Sequence, residues 1–481
     1  MPDTTIHELD RSDIESYVIP GGKVYNRFFQ CPLDYEHPEG ERIQVYVRHL
    51  VPPGKIDMHK SPFLLYLQAI YIFSLHPKNY FFEFGGPGFQ SPNHSNLSGG
   101  WVGIMLAQGY QILLLDQRGT GLSTAINSSS KVLGLPSIEE QVKYMTNFRA
   151  DSIVRDCEYI RKILVAGRDT KQESANSPSS KFTLLGQSFG GFCITTYLSF
   201  LNHPEGIEKA IITGGVPPLT SNPVDIYSKL IPRVALRNKL YYQMYNADIA
   251  RVRRIVKYLD ENTVYLPGNS IDAGDANPNK KSGNILTPKR FQQLGISFGS
   301  SVGFSAVHKI ILNMENDLNL NNKLSFKTLN EFEQFFSFDT NVIYAILHES
   351  IYCNGSASGA SNWACDRAIS GSVQNSALFD YESALSCSDQ PIYFFGEMIF
   401  PWMTRDIYGT ELSRFGELAE ALAKYDKWKP LYNIEALNNN IVPVVAVSYY
   451  DDPYVDLDFS IECADNIKGC QLWITNEYLH K

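Results

Sequence analysis

Short apolar runs alternate with stretches of helical spacing along the first 220 residues. Arg42–Leu50 (RIQVYVRHL) alternates apolar and polar positions after the turn-like HPEGE, the pattern of a half-buried strand. Phe63–Leu67 (FLLYL) and Ile112–Leu115 (ILLL) are unbroken apolar runs, which suit parallel strands buried on both faces. Ile153, Cys157, Ile160, Ile163 and Leu164 recur at helical spacing, so Ile153–Val165 predicts a helix. The polar stretch Gly167–Lys181 predicts a surface loop. Phe182–Leu185 then predicts a second buried strand leading into GQSFGG and an apolar helix ending near Leu201, with Ala210–Ile212 as the next strand. Strand, turn and helix in alternation predict an α/β fold with a mostly parallel sheet covered on both faces.

The pattern changes after Val216-Pro217-Pro218. From 221 to 431 it is mainly helical, broken by a polar loop at Gly268–Lys289, and strand character returns at Ile441–Val447 and Gln471–Ile474. The expected organisation is an α/β core (1–220), an inserted helical cap (221–431) and a C-terminal part that completes the core (432–481). No period of about 20 to 50 residues occurs, which excludes solenoids and propellers.

Composition narrows the function. A chain that is 44% hydrophobic and 19% charged can bury a large core. Its 42 Lys and Arg against 51 Asp and Glu give a net charge of −9, with no basic surplus to displace counterions, so no nucleic-acid partner is expected. The first residues, MPDTTIHELDRSDIESY, are acidic where a signal peptide starts basic. The apolar runs fall far short of the roughly 20 residues that span a bilayer. No membrane association and a cytoplasmic location are expected. The eight cysteines form no CxxC pair, and buried free thiols are expected, with proximity of Cys353 and Cys365 left open. HExxH is absent, and neither metal nor cofactor is expected.

Gly186-Gln187-Ser188-Phe189-Gly190-Gly191 fits G-x-S-x-G between a buried strand and a helix. That context suits a nucleophile elbow, in which small residues flank a serine on a strained turn and a helix N-terminus favours developing negative charge. The residue after the serine, Phe189, and Gly86 of Gly85-Gly86-Pro87-Gly88 are candidate backbone donors to an oxyanion. Asp116 and Arg118, in DQRGTGLS at a strand end, read as structural charges pinning a loop. In this fold the acid and then the histidine follow the serine. Asp451-Asp452 lies just past a late strand, and if the acid is there, His480 is the one histidine left; His308 and His348 come earlier.

GGPGF, DQRGTGLS and GQSFGGF, in this order and spacing, resemble the proline iminopeptidases (prolyl aminopeptidases), serine peptidases of the α/β-hydrolase fold. LHESIYCNG, SNWACDRA and FFGEMIFPWM extend the resemblance to the longer, fungal-type branch, from about residue 25 to the end. The resemblance implies Ser188 as nucleophile, His480 as general base and Asp452, ahead of YVD, as the acid. It also implies Glu349 and Glu397 as ligands of the substrate's free α-amine. A prolyl N-terminus is a secondary ammonium, which a dry pocket must neutralise with carboxylate. Tyr352, Phe400 and Trp402 are candidate walls for the ring. The expected substrates are peptides with N-terminal proline. An esterase or amidase of the same fold, and a non-catalytic binding protein on its scaffold, are the competing readings.

Two departures from the family pattern stand out. Ala69–Phe84 (AIYIFSLHPKNYFFEF) separates the Phe63–Leu67 strand from the GGPG turn; it is rich in Tyr and Phe, and reads as a retained intron that keeps the reading frame, with a functional insertion as the alternative. The chain also stops at Lys481, where the family continues into a helix, which predicts a frayed terminus around His480. Together they predict a chain of low or no activity unless both are repaired.

Overall fold

Among the described residues nine strands form one sheet in the order β1-β2-β3-β5-β4-β6-β7-β8-β9. They are β1 (Ser16–Ile19), β2 (Gly22–Pro32), β3 (Arg42–Val51), β4 (Phe63–Leu67), β5 (Gln111–Asp116), β6 (Phe182–Gln187), β7 (Ile207–Thr213), β8 (Val444–Tyr449) and β9 (Cys470–Thr475). The computed structural model describes residues 15–54, 61–67, 86–166, 180–200, 206–219, 222–267, 284–336, 338, 340–405 and 407–480. Ala69–Phe84 lies outside the described residues. β1 to β3 pair antiparallel and join β5 antiparallel, whereas β5, β4, β6, β7, β8 and β9 run parallel.

The unbroken apolar runs are explained by what covers each face. Leu64 and Tyr66 of β4, with Ile112 and Leu114 of β5, pack with Val102 and Leu106 of the helix Gly100–Ala107. Phe63, Leu65 and Leu67, with Leu113 and Leu115, point the other way, into a core shared with the helices Ala150–Ala166 and Phe189–Phe200. A strand covered twice has no polar positions to spare. Every strand expected from the sequence is present, Phe63–Leu67 with its ends as expected and the others with altered ends: the late strand begins at Val444 rather than Ile441 and runs on to Tyr449. Of the expected loops, 167–179 and 268–283 lie outside the described residues; Pro288 and Lys289 belong to a helix, Pro288–Gln292, whose first turn is capped by the Thr287 side chain.

All described elements between Pro223 and Lys424 are helical, apart from one isolated bridge between Tyr265 and Ile285. The first, Pro223–Met244, starts where Asn222 caps the Val224 N–H and proline fills the first helical position. This region has its own core, including Tyr241, Val252, Phe291 and Phe394. It also contributes Tyr227, Ile343 and Phe400 to the core beneath the sheet. The eight cysteines are all free thiols. Among the described residues no helix is long and apolar enough to cross a membrane, and no three His, Cys, Asp or Glu side chains group to hold a metal ion.

The loop after β5 is anchored by charge. Asp116 accepts from the Ser91 N–H and Oγ, both at 2.7 Å, and from the Leu122 N–H at 2.9 Å. Arg118 is fully buried, donates to both oxygens of Asp156 at 2.6 and 2.8 Å, and spends its other N–H groups on the carbonyls of Pro32, Leu33 and Asn147. Removing one member of such a pair strands a buried charge, which costs about 3–5 kcal/mol. Asp156→Ala should therefore lower the urea midpoint of unfolding sharply, and the paired change Arg118→Met with Asp156→Leu should recover much of the loss. Unchanged midpoints in the single variant would show that the pair contributes nothing.

Candidate active site

Ser188 sits between β6 and the helix Phe189–Phe200 with φ +50°, a left-handed conformation that side chains larger than glycine rarely adopt. The turn is held by the Ser188 N–H on the Thr213 carbonyl (2.9 Å) and the Gly191 N–H on the Ser188 carbonyl (2.8 Å). Its tightness explains its glycines. A Cβ at Gly186 would fall 2.5 Å from the Gly190 carbonyl oxygen, and one at Gly215 would fall 1.9 Å from that of Ser188.

The structure brings Ser188, His480 and Asp452 into one hydrogen-bonded chain. Ser188 Oγ lies 2.8 Å from His480 Nε2, and His480 Nδ1 lies 2.7 Å from Asp452 Oδ2. A carboxylate only accepts, so Nδ1 carries the proton and Nε2 is left to accept from the serine hydroxyl. Asp452 Oδ1 accepts the N–H groups of Tyr454 (2.8 Å) and Val455 (3.1 Å), which fixes the carboxylate in its plane. Of the aspartate pair, Asp452 is the buried member at 1% exposure and the one that meets the histidine. Burial pulls the imidazole pKa down, but Asp452 and Glu397 outweigh it and hold it above its usual value.

His480 is not frayed. It is 3% exposed, its backbone N–H donates to the Gly299 carbonyl at 3.1 Å, and its ring meets the Tyr454 ring edge-on at 5.0 Å. Tyr454 in turn donates its hydroxyl to the Ile296 carbonyl and accepts the Gly299 N–H at 2.9 Å. Gly299 and Ile296 belong to the 3-10 turn Gln293–Gly299 of the helical region. The helix Pro223–Met244 adds two more ties: Arg233 pairs with Asp456 at 2.6 Å, and Arg237 donates to the Phe298 carbonyl at 2.9 Å.

Phe189 opens the helix behind the serine, where first-turn N–H groups lack intrahelical partners. Gly86 lies against Tyr344, so closely that a Cβ on it would come 2.1 Å from the tyrosine ring. Gly85 lies outside the described residues. The Tyr344 hydroxyl donates to Glu397 Oε1 at 2.6 Å. Burial raises the Glu397 pKa to about 7, the Tyr344 bond and His480 hold it down in part, and Asp452 pushes it up.

Glu349 is placed differently. Its two oxygens each accept one backbone N–H at 2.9 Å, from Ala364 and Cys365, at the start of the helix Ala364–Ser370. At 6% exposure it is not a surface ion pair; burial raises its pKa, and those two bonds offset part of the rise. The Tyr352 ring packs with Phe192, Tyr227 and His348, and both glutamates and Asp452 act on its hydroxyl. Trp402 stacks on Phe400 at 5.4 Å and 15°. Tyr344 and Gly299 carry no sequence signal that marks them, and Tyr454, the tyrosine of YVD, carries none for its contacts; each matters through residues far along the chain.

The family of the alpha/beta hydrolase fold matches residues 85–254. A proline iminopeptidase of Aeromonas sobria is 35% identical over 465 residues, covering 96% of this chain and 94% of its own length. One from Aspergillus aculeatus is 32% identical over 452 residues, covering 94% of this chain and 88% of its own. Among solved structures, the proline iminopeptidase of Mycobacterium smegmatis covers 94% of this chain and 91% of its own at 11% identity, with a TM-score of 0.35, too low to add weight. By its identity to the first two over nearly its whole length, the chain belongs to the proline iminopeptidase family of α/β hydrolases.

Proposed function

We propose that the chain releases N-terminal proline from peptides as a serine aminopeptidase, through an acyl-enzyme on Ser188. The observation that carries this reading is a Ser188–His480–Asp452 chain beside a buried carboxylate, Glu397, whose electrostatic neighbours include no Lys or Arg among the described residues. A buried carboxylate without a permanent cation suits a cationic substrate and has no use in an esterase of neutral acyl groups. In this reading 1–220 and 432–481 form the hydrolase core, and 221–431 form the cap. The free thiols accord with a reducing, cytoplasmic setting.

The steps follow from the geometry. Ser188 Oγ attacks the prolyl carbonyl as His480 Nε2 takes its proton, and Asp452 keeps the imidazole in the needed tautomer. The N–H groups of Gly86 and Phe189 stabilise the oxyanion. His480 then protonates the leaving amine, and water, activated by the same nitrogen, releases proline. Glu397 binds the ammonium. Glu349, with lone pairs remaining after two backbone bonds, adds negative charge, and Tyr352 and Trp402, with Phe400, wall the ring.

Ser188→Ala should reduce kcat for prolyl-naphthylamide by roughly 10⁶ with the fold intact; retention of a tenth of the activity would remove Ser188 from the mechanism. Asp452→Asn should cost about 10⁴ through the wrong tautomer, and Asp451→Asn far less; the reverse ranking would reassign the acid. Glu397→Gln should raise KM for prolyl substrates more than Glu349→Gln, with no such change for acetyl-prolyl substrates. Glu397 binds ammonium only when ionised, so kcat/KM for free-amine substrates should fall as pH drops through about 7. A wild-type enzyme that turns over free and acetylated substrates equally would contradict the amine site.

A further inference from the structure

An aminopeptidase of this kind must measure one residue. The α-nitrogen and the carbonyl carbon it cuts beside are separated by one Cα, about 2.5 Å by standard backbone dimensions. The group that binds the amine and the turn that receives the oxyanion must therefore be fixed to each other. In this chain one side chain touches both. Tyr344, fully buried on the helix Val342–Leu347, donates its hydroxyl to Glu397 at 2.6 Å. The same residue is built against the glycine turn: its ring covers Gly86, and its backbone nitrogen would stand 2.7 Å from a Cβ at Gly88, whose φ is +109°. Phe89 at 5.4 Å, Phe338 at 5.4 Å and His348 at 5.0 Å pack around the ring and leave it one orientation.

We propose that Tyr344 is a positioning residue of the aminopeptidase reaction: its hydroxyl aims Glu397 at the substrate ammonium, its ring sets Gly86 in the oxyanion turn, and the two together gauge the length of one prolyl residue. This rests on the reading of Glu397 as the amine ligand. The groups that face Glu397 are Tyr344 from its own helix, Tyr227 from Pro223–Met244, Tyr352, and His480 and Asp452 from the C-terminal segment. Of these, Tyr344 is the hydrogen-bond donor that favours the ionised carboxylate.

Tyr344→Phe keeps the ring and removes the donor. KM for prolyl-naphthylamide should rise about tenfold, as for a lost hydrogen bond to a charged group, with kcat changed little. The acid limb of kcat/KM should move up by about one pH unit, because the carboxylate loses a bond to its ionised form. Inactivation of Ser188 by phenylmethylsulfonyl fluoride, which has no amine, should keep its rate and pH profile. Tyr344→Leu removes the ring as well and should also slow that inactivation by at least tenfold. In the Glu397→Gln background, Tyr344→Phe should have no further effect on KM. A Tyr344→Phe enzyme with wild-type KM and acid limb, while Glu397→Gln raises KM, would overturn the inference and leave the amine site standing. A wild-type KM in Glu397→Gln would instead overturn the amine site itself. If Tyr344→Phe lowers every rate and the Tm together, its role is structural and the inference fails.

Discussion

A serine held at φ +50° stores strain, about 1–2 kcal/mol for a left-handed residue that is not glycine, and keeps it only where its surroundings over-determine the conformation. Here they do. β6 lies in the middle of the parallel sheet, between β4 and β7, so the strand cannot shift to relax the turn. Gly186, Gly191 and Gly215 let backbone close on backbone around the serine at distances no side chain would permit. The doubly buried neighbouring strands and the helix behind the serine together hold that one residue, with its hydroxyl on His480 Nε2.

The other two members of the hydrogen-bonded chain come from a different part of the sequence and have a different support. β8 delivers Asp452, whose N–H meets the Tyr449 carbonyl at 3.3 Å, and β9 leads to His480, whose ring lies 6.5 Å from that of Tyr449. Further support comes from the helical region: the turn Gln293–Gly299 takes the His480 N–H and both bonds of the Tyr454 hydroxyl, Arg233 pairs with Asp456, and Arg237 holds the turn through the Phe298 carbonyl. The helical region is thus part of the framework that holds the Ser188–His480–Asp452 hydrogen-bonded chain.

The elbow was legible because its signal is local: a strand, a short glycine-rich turn and a helix within twenty residues. The parallel sheet was legible for a similar reason, since double burial erases polar positions from β4 and β5. Strand ends were not, because Tyr449 and Thr475 extend their strands by pairing with each other, which no single segment reveals. Glu349 and Glu397 look alike in sequence, each a glutamate in an aromatic-rich motif. They part in three dimensions, where two N–H groups of a distant helix end bind Glu349 and a tyrosine 53 residues away binds Glu397. His480 read as a loose end because nothing near it in sequence holds it; its anchor, Gly299, lies far upstream.

That anchor is made almost wholly of main chain. The His480 N–H and the Tyr454 hydroxyl meet carbonyl and amide groups at Ile296 and Gly299, which every residue but proline can offer. A substitution at Ile296 leaves that carbonyl in place, but its side chain is 2% exposed and packs in the core beneath the sheet, so only residues that fill the same space will hold the turn where it is. Length is fixed as well: one residue added to or removed from the turn would rotate the carbonyls away. Gly299 is stricter still on identity, since a Cβ there would sit 2.1 Å from the Tyr454 ring. The hydrogen bonds that hold His480 thus depend on the length of the supporting turn more than on the polar chemistry of its side chains, which leaves them exposed to insertion and deletion.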